Sequence, residues 1–277
     1  MSRKRVKVIV RRNKRLPIKK AILFSLFLFA VGLMVPLFAF AELSNDTVLG
    51  PGLRSEPVYD GSASQRVEFV PVVRYLGEPW FVRSTQGVLE GGARMELAPG
   101  LHVGAQLAYE SGREAGESPF LTNHNISSIN PEASIGAHLE WDQKIGPVPI
   151  TFLVRARQNT DFDLGAQADF RLSVGVFQKG PVAAGVFTQA TWANAKSTSS
   201  FYAITPPQSV LTGLRAFPAG GGWLFDSFGL LWSVDLTRHW VVLGSMEVRH
   251  LQGDAAHSPL TERSTNCYVA AGLAYRF

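Results

Sequence analysis

The stretch that decides the fold is the end of the chain, Asn266 to Phe277, with the sequence NCYVAAGLAYRF. Its residues alternate between an apolar or aromatic set and a small or polar set. A period of two predicts a β-strand with one apolar face and one polar face. The first set is Cys267, Val269, Ala271, Leu273 and Tyr275, and the second is Asn266, Tyr268, Ala270, Gly272, Ala274 and Arg276.

The same alternation recurs along the chain after Glu42. In Leu164–Phe177, one face is apolar while the other carries Asp169 and Arg171, which a buried strand of a soluble protein rarely holds. Segments of about ten residues with this repeat are typical of transmembrane β-barrels, whose strands separate lipid from a polar lumen. Further examples are Leu89–Leu97, Leu101–Glu110, Ala133–Asp142, Val148–Arg157, Asp226–Thr237 and His239–Leu251.

Two alternatives to a barrel are less consistent with the sequence. A soluble β-sandwich also alternates, but its outward face is rarely the apolar one in every strand. After residue 41, no apolar stretch approaches the length of a transmembrane helix. A membrane-spanning form of this chain therefore has to be a closed sheet, since lipid offers no other partner for the backbone.

The connections between the segments alternate in length, as they do in outer-membrane barrels with short periplasmic turns and long external loops. The tight turns are Ala98–Gly100, Asp142–Gly146, Lys179–Pro181 and Thr237–Arg238, and the longer polar links are Ser111–Pro131, Gln158–Asp163, Ala193–Gly222 and Gln252–Thr265.

The number of strands follows from parity. The N-terminus and the C-terminus of the barrel chain are both expected in the periplasm, so the number of strands should be even. The pattern, however, gives eleven segments. Splitting Pro79–Leu97 near Gln86-Gly87 gives twelve antiparallel strands. Ten strands remain the alternative, with Thr47–Arg54 packed elsewhere.

The start of the chain has the pattern of a secretory signal peptide. A basic stretch precedes the apolar run Ala21–Phe40, and Ala39-Phe40-Ala41 has the small-x-small form of a cleavage site. We expect residues 1–41 to be removed after Ala41 and residues 42–277 to form the barrel. The run is also long enough to be an uncleaved membrane anchor.

Removal of this segment reverses the net charge. Residues 1–41 hold ten of the 27 Lys and Arg residues and none of the 22 Asp and Glu residues, which leaves 17 basic and 22 acidic residues. The basic character of the whole chain therefore gives no support for nucleic-acid binding. The one cysteine, Cys267, excludes an internal disulfide and is expected on the lipid face.

Four stretches, in order, resemble the MltA-interacting protein (MipA)/OmpV family of outer-membrane proteins. They are Ser55–Val67 (SEPVYDGSASQRV), Tyr109–Arg113 (YESGR), Tyr202–Gly222 (YAITPPQSVLTGLRAFPAGGG) and Arg249–Leu260 (RHLQGDAAHSPL). The fourth is the most specific, because it is similar to the family's Leu-x-Gly-Asp-Ala-Ala-x-Ser-Pro element before the final strand.

This resemblance implies a non-enzymatic protein of the Gram-negative outer membrane. The family's founding member is regarded as a scaffold that joins a murein lytic transglycosylase to a bifunctional penicillin-binding protein, and other members are discussed as porin-like. The final strand also resembles the signal that the barrel-assembly machinery reads before insertion into outer-membrane lipid. That resemblance assigns the signal to Leu273, Tyr275 and Phe277.

Charges of both signs fall on the polar faces of the predicted strands. In a barrel of ten to twelve strands, opposite charges could pair across the narrow interior and close it. The alternative is a narrow polar pore for small solutes. The predicted lumen-facing charges are Glu90, Arg94, Glu96, Glu110, Glu140, Arg155, Arg157, Asp169, Arg171, Asp235, Glu247 and Arg249.

No catalytic, cofactor or metal site is predicted. Asp254, His257 and Ser258 lie close together and suggest a hydrolase, but adjacency does not establish a catalytic geometry, and we expect a loop turn here. The six histidines lack ligand spacing on a common element. The sequence therefore predicts an outer-membrane β-barrel, and the family resemblance implies that it acts as a murein-linked scaffold. A narrow channel is the alternative, and a barrel hydrolase is the third candidate.

Overall fold

The computed structural model describes residues 46–277, so the predicted signal peptide and its cleavage site lie outside the described residues. Twelve antiparallel strands form a closed barrel in which each strand pairs with its neighbours in sequence and the first pairs with the last. The prediction of twelve strands is confirmed, and the alternative of ten is wrong. The strands are β1 Val48–Pro57, β2 Gln65–Leu76, β3 Trp80–Thr85, β4 Val88–Ala98, β5 Leu101–Glu110, β6 Glu132–Ile145, β7 Val148–Asn159, β8 Ala166–Lys179, β9 Val182–Ala193, β10 Gly222–Asp235, β11 Trp240–Leu251 and β12 Thr265–Arg276.

The period-two pattern sorts side chains between the outside and the inside of the barrel. In β8, Phe170 and Leu172 are exposed on the outer surface, whereas Asp169 and Arg171 are buried inside. The outer surface is an apolar belt, as a wall in contact with lipid requires. Exposed apolar residues of this belt include Leu49, Leu53, Val67, Phe69, Met95, Leu107, Ile135, Leu139, Phe228, Met246, Val248 and Val269.

The two ends of the barrel differ. The termini end carries both chain ends and the short turns at 77–79, 99–100, 146–147, 180–181 and 236–239. The loop end carries the segments 58–64, 111–131, 160–165, 194–221 and 252–264. Exposed aromatic side chains mark both borders of the belt, with Tyr75, Trp80, Trp141 and Trp240 towards the termini end and Tyr109, Trp192 and Trp223 towards the loop end.

Short helices occur in the long loops, although the sequence predicts none. They are α1 Pro119–Asn123, α2 Ala195–Tyr202, α3 Pro206–Thr212 and α4 Gly253–His257. Helices of one or two turns are too short to show an amphipathic period in the sequence. Their first turns are stabilised by N-cap side chains. Asn194 accepts a hydrogen bond from the backbone N–H of Ser197, and Thr205 and Gln208 form a capping box. None of the helices in the described residues is long and apolar enough to span a membrane.

The loops pack into an ordered cover at the loop end. An apolar cluster joins α2 and α4 to the loop-end residues of β9, β10 and β11. Its buried members are Ala193, Tyr202, Ala219, Leu224, Phe225, Leu251 and Ala255. A second cluster forms around the segment 58–64, where Val58 and Tyr59 pack on Leu121. The loop end is therefore folded over the lumen.

The β3–β4 hairpin is the irregular part of the wall. β3 has only six residues, and the turn Gln86-Gly87 has positive φ at both positions, as a two-residue hairpin turn requires. β2 pairs with β1 along ten residue pairs but with β3 only at Arg74, Tyr75 and Leu76. The wall is thus complete near the termini end and loses one strand pairing towards the loop end.

Candidate functional site in the barrel interior

One side of the lumen is lined by a network of buried charges, which we call the charged wall. Its members lie on β3, β4, β6, β7 and β8, and strand alternation points them inward. Each member is less than a tenth exposed. The charged wall consists of Arg83, Glu90, Glu140, Arg155, Arg157 and Asp169.

Glu90 lies at the centre of this network. Its Oε1 accepts a hydrogen bond from Arg83 Nε at 2.5 Å, and its Oε2 accepts from Arg155 Nη1 at 2.8 Å and from Gln106 Nε2 at 2.7 Å. Arg83 also pairs with Glu140 on β6. Glu90 is 1% exposed, so the favourable pairs have to offset the cost of removing this carboxylate from water.

Asp169 is the second hub of the charged wall. Its Oδ2 lies 2.7 Å from Arg155 Nη2 and 3.1 Å from Arg157 Nη2, and its Oδ1 accepts from Thr191 Oγ1 at 2.9 Å. Arg157 extends the network to Glu110. Because Arg155 contacts both hubs, the ion pairs run without a break from β3 to β8.

The opposite side of the lumen contains small and apolar residues, which we call the small-residue wall. It is formed by β11, β12, β1 and β2. At its termini end, Val48, Val241 and Ala274 are almost fully buried. Its members are Gly50, Gly52, Val72, Leu243, Ala270 and Gly272, and the lack of long side chains leaves space beside them.

Three adjoining cavities lie in the interior. The cavity nearest the loop end has a volume of about 220 Å³ and is lined by charged residues that include Arg54, Arg66 and Arg157. The middle cavity, of about 130 Å³, borders the small-residue wall. The third, of about 70 Å³, borders Arg83 and Glu140 near the termini end. Arg54 lines the first and second cavities, and Arg74 lines the second and third.

A second charged cluster closes the mouth under the loops. Arg249 Nη1 lies 2.9 Å from Asp60 Oδ2, and its Nη2 lies 3.2 Å from Glu247 Oε1. The Arg249 guanidinium also lies over the rings of Phe225 and Tyr268, at 4.1 and 4.3 Å from their centroids. Asp60 belongs to the loop between β1 and β2, so this cluster fixes that loop inside the mouth.

Two tyrosines of the loops are held in this cover. Tyr202 donates a hydrogen bond to the backbone oxygen of Asp60 at 3.1 Å, and burial raises the pKa of Tyr202 well above its ordinary value. Tyr59 donates to the backbone oxygen of Leu260 at 2.8 Å, and burial together with the nearby Glu262 carboxylate raises the pKa of Tyr59. Both hydroxyls therefore stay protonated and act as structural donors.

The structure distributes the predicted lumen-facing charges over several places. Glu90, Glu140, Arg155, Arg157 and Asp169 meet in the charged wall, with Glu110 beside it, whereas Glu247 and Arg249 lie in the mouth cluster. The others lie apart: Arg94 donates to the backbone oxygens of Leu76 and Gly77, Asp235 pairs with Arg276, Arg171 lies over Phe187, and Glu96 is exposed and accepts from the backbone N–H of Gly100.

Sequence reasoning missed Arg83, Arg54 and Asp60. Arg83 lies in the short segment before Gln86-Gly87, where the alternation is weak. The Gln86-Gly87 turn could have identified Arg83, because a two-residue hairpin turn at this position places Arg83 directly opposite Glu90. Asp60 lies three residues after the end of β1 at Pro57, and no local pattern shows that its loop folds inward.

The Asp254, His257 and Ser258 side chains hold loops together. Asp254 accepts from the backbone N–H of Gly220 at 2.7 Å, and Ser258 donates to the backbone oxygen of Tyr202 at 2.6 Å. His257 Nδ1 lies 2.6 Å from the backbone oxygen of Gly253 within α4. The loop turn expected around His257–Pro259 follows directly after α4, at Pro259 and Leu260. Within the described part of the chain, no group of three or more His, Cys, Asp or Glu residues is arranged to hold a metal ion.

Comparison with known families gives one match along nearly the whole barrel. The model of the family described as MltA-interacting protein MipA matches residues 49–277. No curated protein matches the chain.

Solved structures show similar barrels at low sequence identity. The COG4313 outer membrane channel from Pseudomonas putida F1 has 10% identity and a TM-score of 0.48, and the alignment covers 88% of this chain and 100% of that chain. The NanC porin has 11% identity and a TM-score of 0.46, with 83% and 100% covered. LpxR from Salmonella typhimurium has 10% identity and a TM-score of 0.42, with the same coverage. These similarities are too low to support a functional inference.

Proposed function

We propose, from the premise that the chain belongs to the MltA-interacting protein MipA family, that it is a non-catalytic scaffold of the Gram-negative outer membrane. Its partner would be a murein lytic transglycosylase, as the family name indicates, and a penicillin-binding protein would complete the assembly. The barrel anchors the scaffold in lipid. The turns at the termini end would face the periplasm, where murein is built and degraded.

The observation that supports a scaffold best is the unbroken ion-pair network of the charged wall. Its buried ion pairs at 2.5 to 3.1 Å tie together β3, β4, β7 and β8. Glu140 adds β6, and Gln106 adds β5 by a hydrogen bond to Glu90. A barrel whose interior is fixed in this way presents its turns in a constant arrangement. Such a fixed arrangement suits a binding platform, because less conformational freedom is lost when a partner binds.

The termini-end turns offer a specific contact surface. Ile145 at the end of β6 is 70% exposed and Leu236 after β10 is 57% exposed, and Lys144 and Lys179 are exposed beside such turns. Exposed apolar side chains next to cations are suited to protein contact. We expect a periplasmic partner to bind here.

A pull-down of lytic transglycosylase with the full chain tests the scaffold. The test variant replaces Lys144, Ile145 and Leu236 with Ser at the termini end. The matched control replaces Val210 and Leu211 of α3 at the loop end, which are 85% and 73% exposed. The proposal expects the enzyme to be captured by the wild type and the loop-end control but not by the termini-end variant. Equal capture by all three proteins, or capture by none, contradicts it.

A narrow channel is the second candidate, and the three adjoining cavities are the observation that favours it. They share lining residues from the loop end towards the termini end. Single-channel recording in planar bilayers tests this function. A channel should give stable steps that disappear in Val72→Phe, which fills the middle cavity, and persist in Phe69→Trp, which changes the outer surface of the same strand. A silent wild-type barrel contradicts the channel.

The hydrolase is the third candidate, and the loop geometry argues against it. Asp254, His257 and Ser258 each bond to backbone groups rather than to one another. We therefore propose that the chain is not an enzyme. Hydrolysis of ester substrates by purified protein that is abolished in Ser258→Ala, with folding intact, would contradict this.

A further inference from the structure

The wall of the barrel has a gap towards the loop end, which we call the lateral notch. β2 continues from Leu76 to Gln65 with β1 on one side, but β3 leaves its other side after Arg74. The notch is bordered by residues 65–72 of β2, by the Gln86-Gly87 turn and by the ends of β4 and β5 at Leu89 and Tyr109. The barrel thus has a lateral opening as well as two ends.

The free edge of β2 is adapted to the absence of a partner strand. Where β3 leaves, Ser84 Oγ accepts a hydrogen bond from the backbone N–H of Val73 at 3.1 Å. The next edge position, Pro71, has no N–H to satisfy and lies opposite Pro51 of β1. These features favour a permanent opening over a site for an added strand.

The lateral notch lies at the level of lipid. Val67 and Phe69 point outward from this edge, and each is 68% exposed. Lipid does not tolerate an open sheet edge unless the edge meets protein or a water-filled space. The cavity behind the edge is such a space, so the notch connects the lipid-facing surface with the lumen.

The tip of the β3–β4 hairpin contacts a buried side chain of β1. A Cβ atom at Gly87 would clash with the guanidinium of Arg54, which belongs to β1. The tip of the hairpin therefore touches a side chain from a strand that is two positions away around the barrel. Pairing of β3 with β2 ends at Arg74 and Arg83, so the hairpin tip leaves the edge of β2 unpaired.

Apolar and polar spaces meet behind the notch. The 130 Å³ cavity is lined both by residues at the notch, such as Pro71 and Leu89, and by the small-residue wall, including Gly272. Its volume is close to the roughly 150 Å³ of an engineered apolar cavity that binds benzene. The 220 Å³ cavity adjoins it and is lined by Arg54 and Arg66, which both pair with Glu56. Arg66 pairs with Glu68 and Glu117 as well, so this cavity presents charges of both signs.

We infer that the lateral notch is a portal through which a membrane-dissolved amphiphile enters the lumen from the lipid. Its acyl or aryl part occupies the 130 Å³ cavity against the small-residue wall. Its polar end lies in the 220 Å³ cavity near Arg54 and Arg66. This function is independent of the proposed scaffold, because it uses the lateral notch in the strands and not the turns at the termini end.

Quenching by lipid-bound bromine tests the portal. The full chain with Cys267→Ala receives one cysteine labelled with bimane and is reconstituted in phosphatidylcholine vesicles with or without brominated acyl chains. The test label is at Gln86→Cys, inside the notch. Phe69→Cys on the outer surface gives the quenching of a lipid-exposed label, and Thr151→Cys on the inner face of β7 gives that of an enclosed label.

The portal predicts that bromine quenches the Gln86→Cys label severalfold more than the Thr151→Cys label and nearly as much as the Phe69→Cys label. Adding Val70→Phe, which fills the space behind the notch, should return quenching to the enclosed level. If that variant does not give the heat-modifiable gel migration of a folded barrel, Val72→Phe serves the same purpose.

Two results would overturn the portal. One is equal quenching of the Gln86→Cys and Thr151→Cys labels. The other is efficient disulfide cross-linking between Phe69→Cys chains in the vesicles, because the edge of β2 would then be covered by a second copy.

Discussion

The two walls of the barrel interior are built from different side chains, although they line the same lumen. The charged wall fills its side with long residues that pair across strands, such as Arg155 between Glu90 and Asp169. The small-residue wall leaves its side to glycine, alanine and valine, and a cavity of about 130 Å³ lies beside it. The difference shows that half of the interior is fixed by ion pairs while the other half keeps open space.

The largest effect is expected from breaking the charged wall at Asp169. Asp169→Asn keeps the shape of the side chain but leaves Arg155 and Arg157 with one counter-charge fewer in a buried site. Loss of one partner from a buried ion pair typically costs about 3–5 kcal/mol of unfolding free energy. The change in unfolding free energy is measured by urea unfolding in vesicles, with the folded fraction monitored by heat-modifiable gel migration.

The matched control for this prediction is Asp163→Asn. Asp163 pairs with Lys196 at 2.9 Å, but both residues are exposed in the loops. The same substitution should leave unfolding unchanged there, because solvent-exposed pairs contribute little. Similar losses at Asp169 and Asp163 would show that the charged wall does not hold the barrel together.

Filling the small-residue wall is expected to have the next largest effect. In Gly272→Ala, the new Cβ would clash with Cγ2 of Val72 and press on the backbone oxygen of Pro51. Overpacking of this kind typically costs about 1–3 kcal/mol. Val72→Ala in the same chain should recover part of the loss, since it removes one of the two contacts. An additive loss in the double variant would contradict this close packing.

Phe187 on β9 and Arg171 on β8 form a contact beside the charged wall. The Arg171 guanidinium is 4.2 Å from the centroid of the Phe187 ring, and Phe187 is 1% exposed. Phe187→Leu keeps an apolar residue but removes the ring, and a desolvated cation–π contact contributes up to about 2 kcal/mol. A double-mutant cycle with Arg171→Met measures this coupling. A coupling of zero would show that the contact between Arg171 and Phe187 does not stabilise the barrel.

The sequence predicted the strands and their two faces because alternation is a local property. In β8, for example, Asp169 and Arg171 fall on the inner face as soon as the period is recognised. The pairing of charges is not local, because it depends on the register between strands. Glu90 and Arg155 are 65 residues apart, and only the closed sheet brings their atoms to 2.8 Å.

The irregular features were also beyond local reasoning, for two physical reasons. β3 is too short to show a clear period, so the prediction of twelve strands depended on the requirement for an even strand count. The inward fold of Asp60 depends on contacts with Arg249 and Tyr268, which lie near the other end of the chain. The lateral notch results from the short pairing between β2 and β3, which the spacing of residues in the sequence does not predict.

The smallest effect on stability is expected at the exposed pair of Asp163 and Lys196, which contrasts with the buried pairs of the charged wall. The hydrogen bond from Lys196 holds the pKa of Asp163 below its ordinary value. A carboxyl whose pKa is depressed on folding adds stability above its unfolded pKa and loses it as the pH falls through the folded pKa. Lys196→Met should therefore raise the pKa of Asp163 towards the ordinary value, as carboxyl NMR titration measures. The free energy of unfolding at neutral pH should fall only slightly, because the pair is exposed to solvent. A clear loss of stability there would mean that exposed pairs also hold this barrel, and the contrast between buried and exposed charges would fail.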